Sequence, residues 1–179
     1  MPAYGQEIED TLNRDRDNVI IFALVLLAII ADRASFALGR FFTWIDLTAI
    51  AAALLVFSGR LKSAYAAALI PAAVDDILFM PYFGLNFLSA AFYVSAVWYM
   101  SENFYKNNYV TRIFIVAASK AAAAVVYAVL VTVFIWGWKA HYVSPQALPE
   151  AVFTSAAAAV VFRLAEFRWK GRLRWPGRT

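Results

Sequence analysis

The residues that could do chemistry are few in this chain, and Asp75 and Asp76 come first because they lie side by side in a long apolar stretch. An ionisable side chain at bilayer depth costs at least ~2.5–3.5 kcal/mol on insertion scales, so such residues are candidates for function. Two carboxylates could relay protons, or accept hydrogen bonds from the exposed N–H groups of the turn that follows. Adjacent helical residues point about 100° apart, so the pair cannot share one face of a helix. Both interpretations stay open from the sequence.

Two further charged residues lie in or beside apolar stretches. Lys120 is expected to extend its long stem to the cytoplasmic interface, and the alternative is an ion pair with Asp75, Asp76 or Glu102. Asp46 opens its own apolar stretch, where a short carboxylate favours a helix N-cap. Both residues are therefore candidates for holding the fold or for binding a partner.

We also expect structural roles for two uncharged residues near the aspartates. Pro71 lacks a backbone N–H and is expected to bend the helix that contains Asp75. Asn86 is expected to cap the start of the next helix, or else to contribute to a polar outer pocket.

The sequence contains no recognisable set of catalytic residues. There is no HExxH motif, no phosphate-binding loop, and no Ser/His/Asp set that the single histidine, His141, could complete. The chain has no cysteine, so disulfides and thiolate metal sites are excluded. A proton-coupled enzyme or channel would depend on Asp75, Asp76 and Lys120 alone. The sequence predicts a non-enzymatic protein without catalytic residues, cofactor or metal.

Composition indicates a membrane protein. The 179 residues are 63% hydrophobic, whereas an ordinary globular domain is about 45–50% apolar. We expect a single integral membrane domain over 1–179, with a polar cytoplasmic N-terminus at 1–17 and a basic cytoplasmic tail at 168–179. The first apolar run is expected to stay as an anchor, not to be cleaved as a signal peptide. The tail is expected to bind anionic lipid headgroups, with no nucleic-acid partner.

Apolar stretches of about 20 residues match the thickness of a bilayer core. They predict an all-α, polytopic six-transmembrane-helix bundle, with spans near 18–38, 44–57, 62–80, 85–100, 112–138 and 149–167. The second span is short by this rule, and the alternative is a start at Phe41. An even number of spans leaves both termini on one side of the membrane.

Basic residues indicate which side that is. Eleven Lys and Arg residues fall at the termini or in the second and fourth connectors, and three fall on the opposite side. Positively charged loops are retained in the cytoplasm. The sequence therefore predicts a multi-pass membrane protein with both termini cytoplasmic.

Alanine-rich patches occur in the third, fifth and sixth predicted spans. Small residues allow helix backbones to approach closely in lipid. The patches predict packing within the bundle, and the alternative is a docking face for the helix of another protein.

The segment from Pro71 to Leu85 resembles the signature of MreD, the rod shape-determining membrane protein family. That family typically shows a glycine, an Asp four residues later, and a Gly-Leu pair beginning eight residues beyond the Asp. Asp76 and Gly84-Leu85 hold the last two positions, while Ala72 replaces the first glycine. Ile45-Asp46-Leu47 is similar to the family's Pro-Asp-Leu opening of the second span, with Ile for Pro.

The resemblance implies a non-enzymatic scaffold of the cell-elongation machinery that helps control peptidoglycan synthesis. It implies a direct partner, the single-pass protein MreC, and indirect partners in MreB, RodA and a class B penicillin-binding protein. It also implies a fold like that of the substrate-binding components of energy-coupling-factor vitamin transporters. Such a vitamin-binding component is the alternative function, with an outer pocket expected among these residues: Asp32, Asp46, Asp75, Asp76 and Asn86.

Overall fold

The computed structural model describes residues 30, 45–79, 84–104, 108–136 and 147–169. These residues form five helices and no strand, so the all-α prediction is confirmed for them. The helices are α1 (Leu47–Phe57), α2 (Leu61–Phe79), α3 (Leu85–Asn103), α4 (Tyr109–Val131) and α5 (Ala147–Trp169). A π-helical turn, Thr132–Trp136, follows α4 directly.

Helices α2, α3 and α5, and α4 together with its π-helical turn, match the third to sixth predicted spans to within three residues. The first predicted span, 18–38, lies outside the described residues except for Ile30, which is helical and exposed. The second span was expected to start at Trp44 or Phe41, and this is wrong. The helix starts at Leu47, because the backbone of Asp46 is extended (φ −86°, ψ 92°).

The described helices differ in whether their length and composition would allow them to cross a membrane. Among the described helices, one is long and apolar enough to cross a membrane, the 26-residue stretch Tyr109–Phe134 formed by α4 and most of its π-helical turn. Helix α1 is apolar but has only 11 residues. At 1.5 Å per residue it is about 16 Å long, roughly half of a bilayer core of about 30 Å.

Helix α1 is nevertheless the most buried of the described helices, with seven of its 11 residues buried. It packs against α2, α3 and α5, and the pairs α2–α3, α3–α4 and α4–α5 also pack together. The Tyr93 hydroxyl of α3 donates to the Ala49 carbonyl of α1 at 3.0 Å. Phe57 of α1 meets Phe162 of α5 edge to face, with ring centroids 5.6 Å apart. The guanidinium of Arg112 in α4 lies 5.9 Å from the centroid of the same Phe57 ring.

A tight reversal joins α1 to α2. The Gly59 N–H donates to the Val56 carbonyl and the Arg60 N–H donates to the Leu55 carbonyl, both at 2.9 Å. This pair of bonds is a Schellman motif, which needs a left-handed residue after the helix. Gly59 supplies it with φ +77°. The two helices are therefore antiparallel neighbours.

Small side chains line the buried face of α2. The buried alanines of α2 are Ala64, Ala67, Ala68 and Ala72, and they fall on one helical face. The prediction of packing within the bundle is confirmed for this patch. Pro71 is also buried, and α2 continues as a helix on both sides of it.

Candidate functional site

Asp76 near the end of α2 holds the turn that leads into α3. Its side chain is 1% exposed. Its carboxylate accepts the Gly84 N–H at 3.0 Å, the Asn86 N–H at 3.0 Å and the Phe87 N–H at 2.9 Å. The first N–H groups of a helix have no partner within that helix, and a negative charge there also interacts favourably with the helix dipole. These contacts agree with the second interpretation from the sequence, in which a carboxylate accepts hydrogen bonds from the N–H groups of the turn.

The side chain that caps the start of α3 therefore belongs to a residue of α2. The N-cap position of α3 is Gly84, which has a left-handed backbone (φ +104°) and no side chain to accept a hydrogen bond. Asn86 is the second residue of the helix, so the expectation that it caps α3 is wrong. Asp76 supplies the missing acceptor from the preceding helix.

Asp75 and Asp76 have different environments, as their angular separation predicts. Asp75 is half-buried, whereas Asp76 is almost completely enclosed. The two carboxylates therefore do not form a joint acid pair on one helix face.

Lys120 of α4 lies between two carboxylates from two other helices. Its Nζ pairs with Asp46 at the start of α1 and, at 2.9 Å, with Glu150 in the first turn of α5. The side chains of Lys120, Asp46 and Glu150 are 17%, 21% and 37% exposed. The expectation that Lys120 reaches the cytoplasmic interface, or pairs with Asp75, Asp76 or Glu102, is wrong. We call Asp46, Lys120 and Glu150 the ionic triad.

Asp46 also caps α1, as its position in the sequence predicts. Its Oδ1 accepts the Ala49 N–H at 2.7 Å and the Thr48 hydroxyl at 2.6 Å. Its own backbone N–H donates to the buried Thr154 hydroxyl of α5 at 3.0 Å. One residue therefore starts α1 and links that helix to α4 and α5.

The ring of Tyr93 lies beside Lys120 of the ionic triad. Its ring centroid lies 6.0 Å from the Lys120 Nζ, a distance at which a cation is attracted to the ring face. The triad carries two negative charges and one positive charge. Its contacts tie the N-terminal ends of α1 and α5 to the middle of α4.

Sequence reasoning missed Glu150, Thr154 and Tyr93. Glu150 and Thr154 are four residues apart on α5, so they share one helix face. That spacing was the available signal, and it indicates a polar face in an apolar span. It does not indicate their partners, because Thr154 bonds to Asp46, 108 residues earlier in the chain, and Glu150 pairs with Lys120 of another helix.

Replacing Thr154 with valine tests the link between Asp46 and α5. Valine keeps the side-chain shape but leaves the Asp46 N–H without its acceptor, so we expect a loss of about 1–2 kcal/mol in the free energy of unfolding. The measurement is denaturant titration of the purified protein in detergent. Ser155→Ala is the matched control, since the Ser155 hydroxyl bonds only within its own helix, to the Val152 carbonyl. Equal losses in the two variants would contradict a role for this link.

The described residues hold no group of three His, Cys, Asp or Glu side chains that could bind a metal ion. The contacts observed at the two sites are hydrogen bonds and ion pairs between helices. No protein-family model, curated protein or solved structure matches the chain.

Proposed function

We propose that the chain is a polytopic protein of the bacterial cytoplasmic membrane, a six-transmembrane-helix bundle with both termini cytoplasmic. In this proposal it is a non-enzymatic scaffold of the cell-elongation machinery. It binds the transmembrane helix of MreC directly and helps control peptidoglycan synthesis and rod shape. MreB, RodA and a class B penicillin-binding protein are its indirect partners.

The distribution of side chains supports immersion in lipid. Charged and polar residues such as Asp76, Arg112 and Thr154 are buried, while large apolar side chains are exposed on α2, α3, α4 and α5. On α2, for example, Ile77 is 69% exposed. Extended exposed apolar surface is rare on soluble monomers, whereas buried polar groups inside an apolar exterior suit a helix bundle in a bilayer.

The exposure of α4 supports the same proposal. Only 22% of its most apolar stretch is buried inside the protein. A core helix of a soluble domain is covered by its neighbours, so its apolar residues are mostly buried. A helix that is apolar and largely uncovered requires an apolar solvent, and lipid provides one.

The charges at the two halves of the bundle support the proposed orientation. Arg60, Lys62 and Arg112 lie where α1 ends and where α2 and α4 begin. Asp76 lies near the opposite end of α2, and Asp46 lies at the opposite end of α1. This separation follows the positive-inside rule with the basic end in the cytoplasm.

The observation that carries the scaffold proposal is the contact between Asp76 and Gly84. These two residues carry the resemblance to MreD, and in the structure the carboxylate of one accepts the N–H of the other at 3.0 Å. Asp46, the second resembling position, is likewise held by bonds to its own helix and to Lys120. Both aspartates therefore shape the bundle, as expected of a scaffold.

Co-expression with MreC tests this function. We expect the two proteins to co-purify as a complex in a mild detergent, because the exposed apolar faces offer a helix-sized contact area. A variant of MreC carrying an unrelated transmembrane helix serves as the control. The proposal is overturned if MreC fails to co-purify, or if the control co-purifies equally well.

The ionic triad is the observation that favours the alternative, a vitamin-binding transporter component. The triad keeps part of its surface exposed, in the half of the bundle assigned to the outer side. Asp46 and Asp76 nevertheless belong to separate groups of contacts, so the described residues do not assemble the expected pocket around both. A vitamin that raises the melting temperature, together with no capture of MreC, would favour the alternative.

A further inference from the structure

Helix α4 continues far beyond the point where it meets the start of α1. Near the basic end of the bundle the two helices are close together, because the Arg112 guanidinium lies 5.9 Å from the centroid of the Phe57 ring. At the other end of α1, Asp46 pairs with Lys120. From Lys120 to Phe134, α4 and its π-helical turn continue for about 21 Å at 1.5 Å per residue. Helix α1 therefore begins beside the middle of α4.

The exposed apolar surface of α4 indicates how deep the ionic triad lies in a bilayer. Large apolar side chains are exposed near both ends, from Val110 to Phe134. These two residues are about 36 Å apart along the helix axis, enough to cross a hydrocarbon core of about 30 Å. Lys120 lies about 15 Å from Val110 and about 21 Å from Phe134. A bilayer that covers α4 therefore has the triad near its midplane.

The charges of the triad are not fully enclosed by protein at this depth. The Glu150 side chain is 37% exposed, and those of Lys120 and Asp46 keep smaller exposed fractions. A charge in the hydrocarbon at the bilayer centre costs at least ~2.5–3.5 kcal/mol. Non-helical backbone at membrane depth is found only where protein buries it or where it lines a water-filled cavity. Ile45 and Asp46 are non-helical and only half-buried. Both features require water beside the triad.

The packing of the bundle indicates from which side water reaches the triad. Between the triad and the basic end of the bundle, large apolar side chains of α1, α4 and α5 are buried in one continuous core. They include Phe57, Ile115, Val116 and Phe162, each at most 5% exposed. This core closes the path from the cytoplasmic side, so the open path runs from the outer side.

On the basis of the proposed membrane-spanning bundle, we infer that a water-filled vestibule reaches the ionic triad from the outer side of the membrane. It extends to about half the depth of the bilayer. Through it, water-soluble ions and solutes meet Glu150 and Lys120 without crossing the lipid. The triad is thus a hydrated ionic site within the membrane, in addition to its role in joining three helices.

Labelling of single cysteines tests the vestibule without any partner. The chain contains no cysteine, so an introduced thiol reports without background. Glu150→Cys leaves the pair of Lys120 and Asp46 intact, and it is labelled in intact cells with a charged, membrane-impermeant methanethiosulfonate added from outside. The thiolate is the reacting form of a thiol, and it forms in water.

Val125→Cys on α4 is the matched control. Val125 is 59% exposed and lies about 8 Å nearer to the outer end of α4 than Lys120, but on an apolar surface that faces lipid in the proposed bundle. We expect Glu150→Cys to react at least about tenfold faster than Val125→Cys, because only its thiol meets water. Thr48→Cys replaces Glu150→Cys if the latter does not fold, since the Thr48 hydroxyl donates to Asp46.

Fast labelling at position 150 or 48, with slow labelling at position 125, supports the vestibule. Labelling as slow as that of position 125 at both test positions overturns it, as does labelling only from the cytoplasmic side, and either result leaves the proposed bundle standing. Equally fast labelling at all three positions overturns the vestibule together with the membrane-spanning bundle, because lipid shields Val125 there. Failure of MreC capture changes none of these rates, so the two proposals fail separately.

Discussion

Asp76→Ala is expected to lower the free energy of unfolding by about 3–5 kcal/mol. The change removes the acceptor of three backbone N–H groups at once. Each buried donor left without a partner costs about 1–3 kcal/mol, and partial relaxation of the turn recovers some of this. The measurement is unfolding by denaturant titration in detergent, followed by tryptophan fluorescence.

Asp75→Ala is the matched control for Asp76→Ala. It removes the same charge one residue away, but Asp75 is half-buried and on another helix face. We expect its loss of stability to be at most half as large. Comparable losses would mean that charge near the end of α2 matters, and that the three bonds to the turn do not.

Lys120→Met is expected to destabilise the protein by about 2–4 kcal/mol. Removing one partner of a buried ion pair leaves uncompensated charge, which costs about 3–5 kcal/mol when the site is fully enclosed. The triad residues are 17–37% exposed, so solvent reduces that cost. The same denaturant titration measures it, and Lys62→Met is the control, because Lys62 is exposed at the start of α2.

Removing the remaining charges is expected to restore stability. In the triple variant Asp46→Asn, Lys120→Met, Glu150→Gln no charge remains to be compensated, and Asn keeps the N-cap function at position 46. Replacing a complete buried charge group by neutral residues is often close to neutral. We expect the triple variant to be more stable than Lys120→Met alone. If it is not, the triad residues do not act as one unit.

Local features of the sequence predicted the helices well. The ends of α2 to α5 follow from apolar runs and the polar residues between them, and both are properties of neighbouring residues. The N-cap role of Asp46 could also be predicted from the local sequence, because an N-cap bonds to N–H groups two or three residues later. The angle between Asp75 and Asp76 follows from helix geometry alone.

Contacts between residues that are far apart in the sequence could not be predicted from local features. Lys120 has several acidic residues within plausible reach, and no local pattern ranks them. Its partners, Asp46 and Glu150, are selected by how α1, α4 and α5 pack around one another. Similarly, Asn86 looks like a cap by its position, but the fold brings the Asp76 carboxylate to the same N–H groups.

By itself the sequence determined the helical class, the boundaries of four helices and the cap of α1, because each depends on hydrogen bonds and apolar periodicity within a few residues. The tertiary structure alone decided that the shortest of the described α-helices is the most buried. It also decided that one lysine joins three helices, and that a carboxylate from α2 starts α3. Those outcomes depend on burial, since a charge enclosed by helices must find a partner wherever packing brings one within reach.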